Sequence, residues 1–508
     1  MTDNVADLVG TAAATGRPGG LTDLAEGTTL RWAEVDTEVH RFAATLRAAG
    51  VAPGDRVAVV LPTGLKFVVA LFAVARVGAV AVPLAVESPP VELARVLSHC
   101  GATVLVGGGP GGLPDDPAPA VLAAPELGGG EPADGERLSA VGGVEDIAVL
   151  AYTSGTSGMP RGVMLSHRAL LANVAQCAAL RPPPVTSTDR VLLALPLFHA
   201  YGLGPGLLQV VSAGASAVLM DRFVVAPALD ACRTHRITAF VGVPAMYQAL
   251  AAVPADELAD AFASVRLLTS GAAPLPARVL ATIRHATGLS VFEGYGLTET
   301  GPVLTSSLVG GVAKPGAVGA PVPGVELRIV DSDGRPLQTS EDDPDESVIG
   351  LGDDDDPGAG VVAARGANLF SGYWPDGAHG PDPDGWFRTG DVGYLDADGD
   401  LHLVDRANDL IIVNGFNVYP HEVERVLGLL DGVVDAAAVG EPDERTGERV
   451  RAVVVKRPDA ELDADAVIRH CAVHLARFKV PAVVEFVADL PYSATGKLRR
   501  AGLREVAG

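Results

Sequence analysis

The chain has 508 residues, 48% hydrophobic and 20% charged, enough to bury a large core and to divide into at least two domains. A formal net charge of −24 excludes a sequence-independent grip on nucleic acid, which needs clustered lysine and arginine. Four scattered cysteines, Cys100, Cys177, Cys232 and Cys471, make no disulfide framework and fit a reduced, cytoplasmic setting.

Met1–Asp7 is acidic and leads into no apolar core, so no secretory signal is expected. Trp32–Ala49 sets Val35, Val39, Phe42 and Leu46 on one helical face, and Gly50 stops that helix. Arg56–Leu61 then reads as a strand, Lys66–Arg76 as a helix and Ala79–Val82 as a strand. The apolar run Phe67–Val86 is broken by Arg76, Gly78 and Pro83, which makes it a helix followed by a strand and not a membrane span. Such alternation predicts an α/β fold, with mainly parallel sheets flanked by helices. Gly107–Gly143, rich in Gly, Pro, Ala and Asp, reads as largely irregular surface.

Ile147–Ala151 is a short apolar run that reads as a buried strand, and Ser166 is placed to cap a helix through Ala169–Ala179. Between them Thr153, Ser154, Thr156 and Ser157 alternate with Gly155 and Gly158, followed by Pro160-Arg161-Gly162. A backbone this flexible can wrap an anion and offer it both amide N–H groups and hydroxyls, as a polyphosphate requires. The G-x-x-x-x-G-K-S/T phosphate loop is absent from the chain. Further along, Asp189–Leu195 reads as a strand that ends in Pro196-Leu-Phe-His-Ala-Tyr-Gly202, which puts His199 at a strand's carboxyl end, where clefts form. Thr238–Pro244 and Leu267–Pro274 are strands ending in small residues that permit close backbone approach. Cys471 and His474 share a helix face and have no second pair with which to hold zinc.

The run Thr153-Ser-Gly-Thr-Ser-Gly-Met-Pro-Arg-Gly162 resembles the first signature of the adenylate-forming superfamily of acyl-CoA synthetases, nonribosomal adenylation domains and luciferases. Arg161 stands where lysine is usual, a planar fork in place of a mobile point charge. Four more signatures follow in order, and the resemblance covers essentially the whole chain, closest to the fatty-acid-type acyl-CoA synthetases. It implies that Pro196–His199 lines the acyl pocket, with His199 contacting the carboxylate, and that Val241, Gly242, Gly271 and Gly296 border the acid. Gly271-Ala272-Ala273 and Glu293-Gly294-Tyr295-Gly296 would hold adenine, with Tyr295 as the stacking face; Thr298 would reach the α-phosphate and Glu299 Mg²⁺. Within Trp386–Tyr394, Asp391 would bind the ribose hydroxyls, and Arg406 would hold ribose or phosphate. Asn408 occupies the hinge position, where aspartate or lysine is usual. The resemblance thus divides the chain into an N-terminal domain, 1–405, and a small mobile α+β domain, 406–508. In the second, Asn414-Gly415-Phe416 would face CoA, and Lys497 in Leu490–Arg500 would be the catalytic lysine. One departure is the acidic segment Leu337–Gly360, with nine acidic residues between Glu341 and Asp356, which reads as solvated; another is Val361 in a position where glutamate is usual.

The resemblance implies ATP-dependent activation of a hydrophobic carboxylic acid to acyl-AMP, then thioester formation with CoA. The Thr153–Gly158 loop and Arg161 would hold the phosphates. Alternatives that stay open are adenylation alone, transfer to an acyl carrier protein, a homodimeric assembly, a bulky secondary-pathway acid, a nonenzymatic nucleotide sensor and a light-emitting oxygenase.

Overall fold

The computed structural model describes residues 3–108, 119–128, 137–154, 160–331, 333–337, 359–406, 409, 411–413, 416–443, 445–492 and 498–504. Gly155, Thr156, Ser157, Gly158, Asn408, Asn414, Gly415, Lys497 and nearly all of the acidic segment lie outside these residues. For 154, 160, 405, 406, 416, 417, 501 and 504 the backbone alone is described. The chain forms two compact units, Met1–Glu326 with Arg365–Phe387, and Leu327–Ala364 with Arg388–Gly508.

In the first unit the described strands make two sheets. One has the order Ala120–Leu122, Val104–Gly107, Arg56–Val60, Val80–Pro83, Ile147–Ser154, Pro160–Ser166, parallel except for the last pair. Arg56–Val60 and Val80–Pro83 are continuous apolar runs because both faces of this sheet are covered. The intervening helix, Leu65–Arg76, is buried all round, which accounts for the apolar stretch at Phe67–Val86. Among the described residues no helix is long and apolar enough to cross a membrane.

The second sheet has a parallel core ordered Gly20–Asp23, Ser216–Leu219, Arg190–Leu193, Ala239–Gly242, Leu267–Ser270, Val291–Tyr295, with antiparallel strands at both edges. The mainly parallel architecture expected of the N-terminal part is therefore present. One element was not anticipated: between the glycine and hydroxyl stretch and the later helix, Pro160–Ser166 returns antiparallel to Ile147–Ser154, with Ser154 opposite Pro160. Val163, Met164 and Leu165 are buried in this extra strand. Helix His167–Ala178 then starts as expected, with the Ser166 hydroxyl accepting from Ala169 N–H at 3.2 Å.

A strap, Phe370–Trp374, lies antiparallel along Pro160–Ser166. Ser371 N–H donates to Met164 O at 2.9 Å, Met164 N–H to Gly372 O at 3.1 Å and Trp374 N–H to Gly162 O at 2.8 Å. Gly372 turns this strap with a φ of +95°, and a Cβ there would sit 2.1 Å from Gly377 O. Only glycine satisfies both conditions.

The second unit holds a four-stranded sheet ordered Val325–Val330, Gly360–Gly366, Trp386–Leu395, Leu401–Arg406, whose first strand begins in the other unit. It also holds the small α+β domain expected from the sequence. Val433–Asp443 and Gly447–Lys456 pair antiparallel, and Val483–Val487, not anticipated, joins Gly447–Lys456 in parallel. Helices Pro420–Leu427 and Ala464–His474 pack Val423, Val426, Val467 and Cys471 into the core of this domain. All four cysteines are free and buried, and burial pushes the Cys471 thiol up to about 11. Among the described residues no cluster of His, Cys, Asp and Glu could hold a metal ion.

The tail that follows residue 497 is tied down. Arg500 makes two hydrogen bonds to Glu424 at 2.8 and 2.9 Å and an ion pair with Asp409 at 3.6 Å. Arg451 donates to Leu503 O and to Glu485 at 2.8 Å. Burial pushes the Glu424 carboxyl up, but His421, Arg500 and the Ala438 N–H outweigh it and hold the group down to about 2.

The strap's geometry makes Gly372→Ala strongly destabilising, by about 2–3 kcal/mol for the positive φ and the clash together. A thermal melt should show a clearly lowered Tm; an unchanged Tm would mean that the strap is not held as described.

Candidate active site

Four neighbouring strands, Arg190–Leu193, Ala239–Gly242, Leu267–Ser270 and Val291–Tyr295, point their carboxyl ends the same way in one sheet. Each leads into a segment singled out in the sequence: His199 follows the first, Val241 and Gly242 end the second, Gly271–Ala273 follow the third and Gly296 the fourth. Register sharpens this, because Gly242, Ser270 and Glu293 stand side by side on one rung. The carboxyl edge of a parallel sheet is where α/β proteins bind ligands.

The glycines are required for close approach. A Cβ on Gly242 would come within 2.7 Å of the Phe240 ring and 2.9 Å of Tyr247, and one on Gly271 would reach the Tyr201 ring at 3.0 Å. Tyr247 O–H donates to Thr269 O at 2.8 Å. Burial pushes the Tyr201 hydroxyl well above the usual tyrosine range, although a hydrogen bond with Thr269 opposes it. Half-buried His199 accepts from Tyr201 N–H through Nδ1 at 3.2 Å, which in the neutral ring leaves the proton on Nε2. Gly202–Leu208 then forms a π-helix, a rare winding that concentrates at functional sites. Ala272 has a φ of +71°, strained for a residue with a Cβ, at the turn expected to face adenine.

Glu293 is buried, and its Oε2 accepts from Leu275 N–H at 3.1 Å. Burial pushes the carboxyl up to about 7, against that hydrogen bond. The group lines a cavity of about 210 Å³ together with Arg284, Ser307 and Lys314. Beyond it, Gly296 lies under Pro302, where a Cβ would be 1.8 Å from the carbonyl oxygen. A 3₁₀ turn, Thr298–Thr300, then presents Thr298 and Glu299, both half-buried.

Asn368 anchors this turn by donating to Thr300 O at 2.7 Å, and Phe370 N–H donates to Glu299 O at 2.9 Å. The Glu299 carboxylate accepts from Tyr373 O–H at 2.8 Å. The Arg161 guanidinium lies 5.4 Å from the Tyr373 ring centroid. Thr153 sits opposite Arg161 in the hairpin. The structure thus brings Thr153 and Arg161 of one sheet to Glu299 of the other by way of Tyr373. Sequence reading missed Tyr373; the aromatic pair after Ser371-Gly372 was its only local signal. Magnesium fits this donor set, because it takes oxygen ligands, keeps waters and shares phosphate oxygens, so that one carboxylate suffices.

In the second unit Asp391 is buried, its N–H donating to Thr389 Oγ1 at 3.1 Å, and it stands opposite Arg406 in the register of two antiparallel strands. These two expected nucleotide contacts are therefore neighbours.

A nucleotide-activating α/β enzyme is the class that this arrangement defines. The family model for AMP-binding enzymes matches residues 11–374, and that for the AMP-binding enzyme C-terminal domain matches 422–497. The chain belongs to the AMP-binding enzyme family. It is 37% identical to a feruloyl-CoA synthase of Amycolatopsis sp over 94% of both chains. It is 35% identical to a dioxo-octahydro-indenyl-propanoyl:CoA ligase of Mycobacterium tuberculosis over 95% of both. The crystal structure of ATP-bound MatB from Rhodopseudomonas palustris aligns with a TM-score of 0.87, at 31% identity over 99% of each chain. The protein is an AMP-forming acid–thiol ligase that takes a small-molecule acid, ATP and CoA as substrates and works with Mg²⁺.

Glu293 carries a pH signature. Its folded value, about 7, lies above the ordinary 4.5, so the folded state binds the extra proton. Stability is full below about pH 4.5 and falls as pH rises through 7, by at most about 1.4 kcal/mol per unit. Glu293→Gln should therefore gain stability relative to the parent between pH 5 and 7.5 in urea melts; a constant difference across that range would contradict the assignment.

Proposed function

We propose that the acid is hydrophobic, with a compact ring in place of a long linear chain, and that the residues singled out in the sequence act on it in two half-reactions. The observation that carries this reading is the Tyr201 ring lying against Gly271 while Tyr247 and Phe240 crowd Gly242, which puts aromatic rings at the strand ends. The named substrates of the feruloyl-CoA synthase and the indenyl-propanoyl:CoA ligase support it, since both carry rings.

In the first half-reaction a carboxylate oxygen attacks the α-phosphorus of ATP, a new P–O bond forms and pyrophosphate leaves with the electrons of the bond it breaks. His199 holds the acid's carboxylate, with Val241, Gly242, Gly271 and Gly296 bordering its tail. Thr153, Ser154, Gly155, Thr156, Ser157, Gly158 and Arg161 hold the β- and γ-phosphates. Ala272, Ala273, Glu293, Gly294 and Tyr295 receive adenine, while Asp391 and Arg406 take the ribose. Thr298 donates to the α-phosphate, Glu299 holds the metal, and Lys497 lies between the two reacting anions. Magnesium, when bound, neutralises phosphate charge.

In the second half-reaction the CoA sulfur attacks the acyl carbonyl, AMP leaves and the thiol proton passes to solvent. Rotation of 406–508 relative to 1–405 about Asn408 withdraws Lys497 and presents Asn414, Gly415 and Phe416 to CoA. One site then serves both steps by two closures. A carrier protein is the alternative acceptor.

Pyrophosphate exchange with a panel of arylacrylic, polycyclic and linear acids tests the acid. Ring acids should exceed linear acids of similar size by about tenfold in kcat/KM, and Tyr201→Ala should shift the preference toward linear chains. A panel led by long linear acids in the parent enzyme would reverse the proposal. Thioester on mass spectrometry after CoA addition separates CoA from a carrier protein as acceptor.

A further inference from the structure

Glu299 is a lone carboxylate on a short 3₁₀ turn, and such a side chain, left to rotate, would present its oxygens to a cation poorly. Four features remove that freedom. Asn368 and the Phe370 N–H fix the turn's backbone through Thr300 O and Glu299 O. Tyr373 O–H takes Glu299 Oε1. The Tyr373 backbone is itself bridged to Val163 in the strand that carries Arg161. Its ring meets Phe370 edge-on at 5.1 Å, and the Arg161 guanidinium lies 5.4 Å from its centroid.

Resting on the reading of Glu299 as the magnesium ligand, we propose that Tyr373 is a positioning residue for it, held in turn by Arg161. The tyrosine hydroxyl engages Glu299 Oε1, which leaves Oε2 as the oxygen that would hold the cation. The guanidinium in the position where the family resemblance leads one to expect lysine has a physical consequence here. A planar cation can lie over the tyrosine face and hydrogen-bond around it, whereas an ammonium on a flexible stem holds the ring less firmly. Arg161 therefore has two tasks: it adds positive charge beside the phosphate-binding hairpin, and it fixes the ring that aims the metal ligand.

The test measures ATP binding by calorimetry in EDTA and over a magnesium titration, with melting temperature as the control for folding. Tyr373→Phe should leave binding in EDTA and the Tm essentially unchanged while raising the magnesium concentration for half-maximal effect about tenfold. Arg161→Lys, which keeps the charge and loses the planar fork, should move it the same way by a smaller factor, and stands in if Tyr373→Phe fails to fold. Glu299→Gln calibrates the outcome. A large shift in Glu299→Gln with none in Tyr373→Phe or Arg161→Lys overturns the positioning role alone. No shift in any of the three overturns the magnesium assignment as well.

Discussion

Two anions have to meet before this enzyme can do anything: the substrate's carboxylate and the α-phosphate of ATP. At 4 Å and an effective dielectric of about 20, two unit charges repel by about 4 kcal/mol, and the polyphosphate carries several. The chain makes this harder, because its own net charge of −24 repels both substrates. Catalysis therefore depends on reversing the local field with a few cations placed accurately, and much of the architecture can be understood as holding them. In the proposed mechanism Arg161, the magnesium held by Glu299, and Lys497 are three answers to one electrostatic problem.

Packing supplies the accuracy. The strap Phe370–Trp374 connects the two sheets of the first unit. It adds itself to the strand Pro160–Ser166, reaches Glu299 through its backbone and its tyrosine, and is turned by a glycine that nothing larger can replace. Gly296 under Pro302 and Gly242 under Tyr247 serve the same end, allowing backbone and rings to approach where a Cβ would hold them apart. In the second unit, Arg500 ties the chain after residue 497 to Glu424 and Asp409.

The family was legible in the sequence because its signatures, Thr153–Gly162 and Tyr295–Glu299 among them, are runs of contiguous residues, and the strands ending at Gly242 and Ser270 were legible as short apolar runs closed by small residues. Helices such as Leu65–Arg76 and His167–Ala178 were legible from periodicity and a serine cap. Pro160–Ser166 was not, since Pro160 and Gly162 speak for a turn and only pairing with Ile147–Ser154 makes a strand of them. Tyr373 was invisible for a related reason. It touches Glu299 from one sheet and Arg161 from the other, and no spacing along the chain encodes those contacts. Likewise periodicity does not report the π-helix at Gly202–Leu208, whose Gly204 lies against Pro302, or the positive φ of Ala272.

The account stands most directly on separating the two half-reactions in Lys497→Ala. Acid-dependent ATP–pyrophosphate exchange should fall at least about a hundredfold, as loss of a charge made for the transition state implies. Thioester formation from supplied acyl-AMP and CoA should stay within a few-fold of the parent. A folded variant that exchanges pyrophosphate at the parent's rate, or loses both activities equally, would contradict the claim that one lysine serves the first reaction and is withdrawn for the second.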